Sequence, residues 1–171
     1  MRILFVLTCC FFISQTRAQL PNMYLLGAGD TIEVLVYQEP DLRTVTKVNQ
    51  SGLINLPLVG QVKLEGLTIE AASDAIEGKF KDGYLVYPDV TIIIREYRPF
   101  FIHGEVHQPG SYKYQAEINL EQAIALAGGL KDRASRSQWN IWRGFPQKPF
   151  RAEKGEKILP GDVIKIDKSF F

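Results

Sequence analysis

Apolar and polar residues alternate along several short stretches of the chain, and this period of two is typical of β-strands. The clearest stretch follows Asp30, where Ile32, Val34 and Val36 fall on one face and Glu33 on the other. Similar patterns, separated by glycine and proline, predict further strands at 44–48, 53–56, 61–64, 90–94, 101–106, 111–114, 138–143 and 163–166.

Two stretches have helical spacing instead. After Thr68, a residue type that caps helices, the apolar positions recur every three or four residues: Ile69, Ala72, Ile76 and Phe80. Asn119 and Gln122 form a predicted capping box. The second helix then has an apolar face of Leu120, Ala123, Ile124 and Ala127, and it is predicted to stop at Gly128-Gly129.

The order of these elements predicts an α+β protein of two small domains. Strands around one helix make a first module at 24–97. Two strands, a helix and two more strands make a second module at 98–171, which is the order of a β-grasp domain. Gly161-Asp162-Val163-Ile164 echoes Gly29-Asp30-Thr31-Ile32, and we interpret both as the same turn at the start of a strand rather than as a repeat.

Residues 1–18 have the layout of a signal peptide: Arg2, an apolar run over 3–13, and Thr16-Arg17-Ala18 before the cut. Cleavage is predicted between Ala18 and Gln19. A lipoprotein acylated at Cys9 or Cys10 is the alternative, but the residues before them make a poor lipobox and the apolar run continues beyond both. After cleavage at Ala18 no cysteine remains, which excludes disulfides and thiol chemistry.

Charge is unevenly distributed along the predicted mature chain. Residues 19–130 carry 8 basic and 14 acidic side chains, and residues 131–171 carry 10 basic and 5 acidic ones. The basic end either is an ordinary solvated surface or faces an anionic polymer or an acidic partner. Nucleic acid is not expected, since there is no concentrated basic stripe.

Few residues point to chemistry. His103, Glu105 and His107 fall on one face of a predicted strand, but a Pro-Gly turn follows at once, so we interpret the histidines as structural or surface residues. No Ser-His-Asp order, nucleophile elbow or phosphate loop is present. Gly27-Ala28-Gly29 precedes a strand rather than a helix, which excludes a dinucleotide fingerprint. We therefore predict no enzyme activity, no cofactor and no metal.

A candidate glycan or partner contact is predicted in the basic end of the chain. Aromatic faces stack on sugar rings and guanidinium groups pair with carboxylates. The residues proposed for this contact are Trp142, Arg143, Arg136 and Lys148. Core packing with ordinary surface charge is the alternative, because strand alternation leaves at most one of Trp139 and Trp142 free.

A series of short motifs, in order along the chain, resembles those of a known family. Those of the first module are Tyr24-Leu25-Leu26-Gly27-Ala28-Gly29-Asp30, Gly52-Leu53-Ile54-Asn55-Leu56-Pro57 with Gly60, and Gly66-Leu67-Thr68 with Pro88-Asp89-Val90. Those of the second are Gly104-Glu105-Val106, Pro109-Gly110-Ser111-Tyr112, Ala127-Gly128-Gly129 and Pro160-Gly161-Asp162. Together they resemble the polysaccharide export sequence domain followed by a soluble-ligand-binding (SLBB) β-grasp domain, as in Wza-like exporters.

The resemblance implies a periplasmic subunit of a ring around a passing polysaccharide, capsular or extracellular, working with an inner-membrane polysaccharide co-polymerase. Longer members place a C-terminal amphipathic helix in the outer membrane, and 162–171 does not have that pattern. A partner, such as an outer-membrane β-barrel, is then expected to complete the passage. The alternative function is a monomeric periplasmic carbohydrate-binding or regulatory β-grasp module.

Overall fold

The computed structural model describes residues 24–169 and has the expected α+β architecture. The first module contains two helices and five strands: β1 (Thr31–Val36), a 3-10 turn (Pro40–Leu42), β2 (Thr44–Lys47), β3 (Leu53–Leu56), β4 (Gly60–Lys63), α1 (Ile69–Lys81) and β5 (Val90–Glu96). The second contains β6 (Phe100–Gly104), β7 (Gly110–Tyr112), α2 (Leu120–Leu126), β8 (Ala134–Arg143), β9 (Lys148–Ala152) and β10 (Val163–Lys168).

The first module is a three-stranded antiparallel sheet of order β2-β1-β5, with a β3-β4 hairpin and α1. Alternation along β1 turns Ile32 and Val34 into the core. The predicted cap of α1 is confirmed, since the Thr68 hydroxyl accepts a hydrogen bond from the backbone N–H of Ala71 at 3.1 Å. The buried face of α1 is the predicted one, and the helix packs against β5.

Glu33 departs from the simple alternation of β1. It lies on the face opposite the core, as predicted, but only 1% of its side chain is exposed. Arg43 donates from Nε to its Oε1 at 2.6 Å, and Arg95 forms an ion pair with its other oxygen. The hydrogen bond from Arg43, followed by that from Arg95, holds the pKa of the Glu33 carboxyl below its usual value. A carboxylate on the outer sheet face is therefore covered by two arginines instead of by water.

The second module is a five-stranded sheet of order β7-β6-β10-β8-β9. Its last strand, β10, lies in the middle, parallel to β6 and antiparallel to β8. The capping box of α2 is confirmed: the Asn119 side chain accepts from the N–H of Gln122, and the Gln122 side chain accepts from the N–H of Asn119. Gly128 and Gly129 have φ of 77° and 85°, which ends the helix as predicted.

The prediction of two strands after α2 is wrong, because there are three. The strand predicted at 138–143 begins earlier, at Ala134, and β9 follows it. β9 contains Pro149, although proline has no N–H to donate to a ladder. The structure accommodates it because β9 is an edge strand that pairs with β8 alone.

Each module has its own hydrophobic core. One cluster draws on residues up to Ile94, and the other starts at Phe100. The division at 97/98 remains a prediction, which the two separate cores support. The signal peptide, its cleavage between Ala18 and Gln19, and the two cysteines lie outside the described residues. Within residues 24–169, neither α-helix combines the length and the apolar character needed to cross a bilayer.

Candidate functional site

Two turns of the same design precede β1 and β10. The N–H of Asp30 donates to the carbonyl of Gly27, and the N–H of Asp162 donates to the carbonyl of Leu159, both at 3.1 Å. Each carboxylate in turn accepts from the N–H of that same earlier residue, both at 2.8 Å. The residue before each aspartate is a glycine with positive φ, 102° and 85°. The sequence-based interpretation of a shared turn is therefore confirmed.

Each turn also holds a buried ion pair. Asp30 is 0% exposed and Asp162 1% exposed. Arg98 Nη1 lies 2.8 Å from Asp30 Oδ2, and Arg143 Nη2 lies 2.8 Å from Asp162 Oδ2. The two arginines neutralise carboxylates that would otherwise be costly to bury.

Arg98 lies between the modules, in the three-residue connection from β5 to β6. Its side chain is 12% exposed and packs on both glycine turns. A Cβ at Gly27 would lie 2.5 Å from Nη1 of Arg98, and a Cβ at Gly161 would lie 2.3 Å from its Nε. The guanidinium carbon also lies 5.2 Å from the centre of the Phe145 ring. A side chain at either glycine would have to displace the arginine, so the close packing favours glycine at both turns.

Arg98 and the two glycine turns on which it packs form the joint between the modules. Tyr24 extends this joint. Its hydroxyl donates to Asp30 Oδ2 at 2.6 Å and accepts from Arg98 Nη1 at 2.9 Å. Burial, and then the hydrogen bond to Asp30, raise the pKa of the Tyr24 hydroxyl far above its usual value. The ring packs edge-on against Tyr97 at 5.1 Å, and Tyr97 packs against Tyr114 of the second module at 5.3 Å. A continuous row of three tyrosines thus joins the modules.

A cleft with a volume of about 860 Å³ lies beside the joint and is lined by both modules. Four large apolar side chains on its walls are more than a third exposed: Leu25 (37%), Tyr97 (38%), Phe101 (44%) and Phe145 (44%). Its charged residues are Lys47, Arg98, Arg143, Lys157, Glu117 and Asp162. Apolar walls with a few polar groups are the usual make-up of a small-molecule site. This cleft, with the joint that shapes it, is the candidate functional site.

The four residues of the tentative glycan contact do not form one patch. Arg143 lines the cleft, Trp142 is half-buried, and Lys148 is the cross-strand partner of Arg143. Arg136 is seven residues from Arg143 along β8, about 23 Å at ~3.3 Å per residue. It lines a second, smaller cavity with Trp139. A glycan contact through these residues remains a prediction.

The aromatic and histidine positions are also placed. Trp139 is 3% exposed, and its indole N–H donates to the carbonyl of Ser135 at 2.8 Å, so it is a core residue. β6 ends at Gly104, where φ is 95°, and His107 lies beyond the strand with Nδ1 3.2 Å from the carbonyl oxygen of Gly129. The expected common face for His103 and His107 is therefore not formed. In the described part of the chain no three His, Cys, Asp or Glu residues are grouped as metal ligands.

Arg98 is the residue of the candidate site that the sequence analysis missed. Its position before Pro99 marked only the start of the second module. The repeated Gly-Asp turn was the available clue, because a buried aspartate requires a cationic partner. The residues around Arg98 in the sequence do not indicate that its partner is Asp30, which is 68 positions earlier.

Comparisons with known proteins agree with the order of the two modules. Residues 18–95 match the family model described as polysaccharide biosynthesis/export protein, and residues 99–159 match the SLBB domain. Similar curated proteins include the exopolysaccharide production protein ExoF of Rhizobium meliloti (strain 1021), 33% identical over 93 residues, which is 53% of this chain and 22% of that protein.

Two further relatives cover more of the chain. The polysialic acid transport protein KpsD of Escherichia coli is 28% identical over 109 residues, 63% of this chain and 20% of its own length. The EPS I polysaccharide export outer membrane protein EpsA of Ralstonia solanacearum is 26% identical over 155 residues, 72% of this chain and 40% of its own length. The chain thus spans between a fifth and two fifths of the length of these three relatives.

Proposed function

The chain belongs to the Wza-like polysaccharide export protein family, and from this premise we propose that it is a non-catalytic periplasmic subunit of a machinery that exports a capsular or extracellular polysaccharide. Its role in this proposal is to form or extend a conduit for polymer translocation across the outer membrane. The matched domains follow one another in the order expected of such a subunit.

The observation that carries the proposal is the joint between the modules. Its glycine turns are the family-like motifs Gly27-Ala28-Gly29-Asp30 and Pro160-Gly161-Asp162, one from each matched region, and both pack on Arg98. Copies that close into a ring must present their surfaces at one fixed angle. A buried ion pair and a row of tyrosines across the junction supply that rigidity.

The partners in this proposal are the polysaccharide, further copies of the chain in a ring, an inner-membrane polysaccharide co-polymerase, and an outer-membrane β-barrel protein. The uneven charge supports contacts between unlike surfaces, because residues 19–130 are net acidic and residues 131–171 net basic.

Gene deletion tests the proposal. We expect secreted polysaccharide to be lost and to return when the intact gene is supplied on a plasmid. Polymer retained inside the cells would separate a defect in export from a defect in synthesis. As a matched control, a plasmid carrying Asp74→Asn, a change at an exposed residue of α1, should restore secretion fully. Normal secretion in the deletion strain would overturn the proposal.

The cleft favours a second candidate, the monomeric carbohydrate-binding or regulatory module. The size of the purified protein in solution, alone and with a membrane extract of the same cells, separates the two. A ring subunit gives a large species under at least one condition. A strict monomer in both, combined with normal secretion after deletion, would favour the second candidate.

A further inference from the structure

We propose that the cleft between the modules binds a pyranose unit that carries a carboxylate, such as a uronate residue of the exported polymer. That the occupant is a sugar rests on the proposed function. That the sugar is acidic rests on the charges of the cleft.

The apolar walls suit a sugar ring. Phe101 and Phe145 are each 44% exposed, and Tyr97 is 38% exposed, so ring surface of all three is open to the cleft that they line. A pyranose has a face of C–H groups that packs on an aromatic ring while its hydroxyls remain at the edge. The polar residues among these walls, including Gln147 and Glu117, can bond hydroxyls.

One cation of the cleft without an ion pair to any described residue favours an acidic sugar. The cleft is lined by four cationic and two acidic residues. Three of the cations already have partners: Arg98 pairs with Asp30, Arg143 with Asp162 and Glu156, and Lys157 with Glu117. Lys47 is exposed, and it makes no ion pair to any residue between 24 and 169.

The surroundings of Lys47 leave it available for a ligand. Its weak field at Glu96 adds to that of Lys113, and Lys113 is the residue paired with Glu96, at 3.0 Å. Lys47 is thus the cation of the cleft that can pair with a ligand carboxylate.

The cleft is formed before any ligand arrives. The Arg98–Asp30 pair and the tyrosine row fix the two walls relative to one another. Binding in a rigid site avoids the cost of ordering the walls. Its volume of about 860 Å³ is large enough for more than a single sugar unit.

The test compares two probes that differ only at one carbon: methyl glucoside and methyl glucuronoside. The chain purified from the periplasm after export is labelled with ¹⁵N and titrated with each, up to about 50 mM, a range suited to weak ligands. We expect saturable amide shifts at Gly29, Gly144 and Gly161 around the cleft. The glucuronoside should bind about threefold tighter, the effect of one exposed ion pair.

Two variants locate the effect. Lys47→Met should remove the preference for the acidic probe while leaving the neutral one unchanged. Phe101→Ala should weaken both probes, and Tyr87→Ala, an aromatic residue that is 91% exposed and outside the cleft, should weaken neither. The dispersion of the amide spectrum shows directly that each variant is folded.

Several outcomes would overturn the inference: no saturable shifts with either probe, shifts away from the cleft, or an acidic preference that survives Lys47→Met. None of these would affect the proposed function, which is tested by secretion in the deletion strain. Conversely, normal secretion together with acidic-sugar binding in the cleft would leave the binding site standing and remove the export role.

Discussion

Arg98 binds both oxygens of the Asp30 carboxylate. Its backbone N–H donates to Oδ1 at 2.8 Å, and its Nη1 donates to Oδ2 at 2.8 Å. The same carboxylate accepts from the N–H of Gly27 and from the hydroxyl of Tyr24. One buried carboxylate therefore bonds both the turn before β1 and the junction between the modules.

Replacing Asp30 with asparagine should destabilise the protein by about 3 kcal/mol, since it leaves a guanidinium that is largely buried without its anion. The amide also turns an N–H₂ group toward the donors that surround it. Urea unfolding measures the loss, and faster proteolysis within 97–99 would report a loosened junction. Asp74→Asn is the matched control and should change stability little. Equal stability of the two variants would contradict a central role for the pair.

Replacing Gly161 with alanine should cost about 3 kcal/mol, part from backbone strain and part from steric conflict. The residue has φ of 85°, and a Cβ would lie 2.3 Å from Nε of Arg98. Gly83→Ala is the control, because φ there is 96° but nothing lies within 4 Å of an added Cβ. It should cost only the backbone part, about 1 kcal/mol. If thermal unfolding showed the same loss of stability for both variants, close packing at the joint would not contribute to stability.

Replacing Glu33 with glutamine should flatten the dependence of stability on pH. The hydrogen bonds from Arg43 and Arg95 lower the pKa of Glu33 in the folded state below its value of about 4.3 in the unfolded chain. The stabilisation is therefore present above that unfolded value and is lost as the pH falls through the folded pKa. Urea unfolding measured from neutral to acidic pH checks this. The exposed Glu121→Gln variant should follow the wild-type curve, and a parallel curve for Glu33→Gln would refute the prediction.

Replacing Arg143 with lysine should destabilise the protein by about 2 kcal/mol even though the charge is kept. Arg143 donates to Asp162 through Nε and Nη2, to Glu156 through Nη1, and to the carbonyl of Lys157 through Nη2. The ammonium group of a lysine cannot reproduce this planar arrangement of guanidinium donors. Lys148→Ala, at the exposed cross-strand neighbour, should change stability by less than about 0.5 kcal/mol. Because of this structural role, loss of glycan binding in an Arg143 variant is informative only if the variant remains folded.

The helix caps and the tight turns could be predicted from the sequence. Thr68 caps α1 through an N–H three residues on, and Asn119 and Gln122 cap α2 across the same spacing. The turns at Asp30 and Asp162 also close within three residues. Because every partner in these features is close along the chain, residue type and spacing were sufficient to predict them.

The features that escaped prediction depend on distant residues. β9 was missed because its stability comes from pairing with β8 rather than from its own pattern. Glu33 looked like a solvent-facing residue because nothing in β1 indicates that Arg95, on a strand 57 or more positions later, covers it. The candidate cleft combines a strand end of one module with loops of the other, so its walls become neighbours only through the joint.

The central position of β10 has a consequence for the order in which the chain can fold. β6 and β8 are not paired with each other in the sheet. Both pair with β10, which follows them in the sequence. Synthesis from the N-terminus allows the β1-β5 pairing to form before residues 163–168 are made. The sheet of the second module remains in two halves until residues 163–168 appear, and closing so long a loop is slow. Assembly of that sheet therefore requires residues 163–168, whatever the state of the first module.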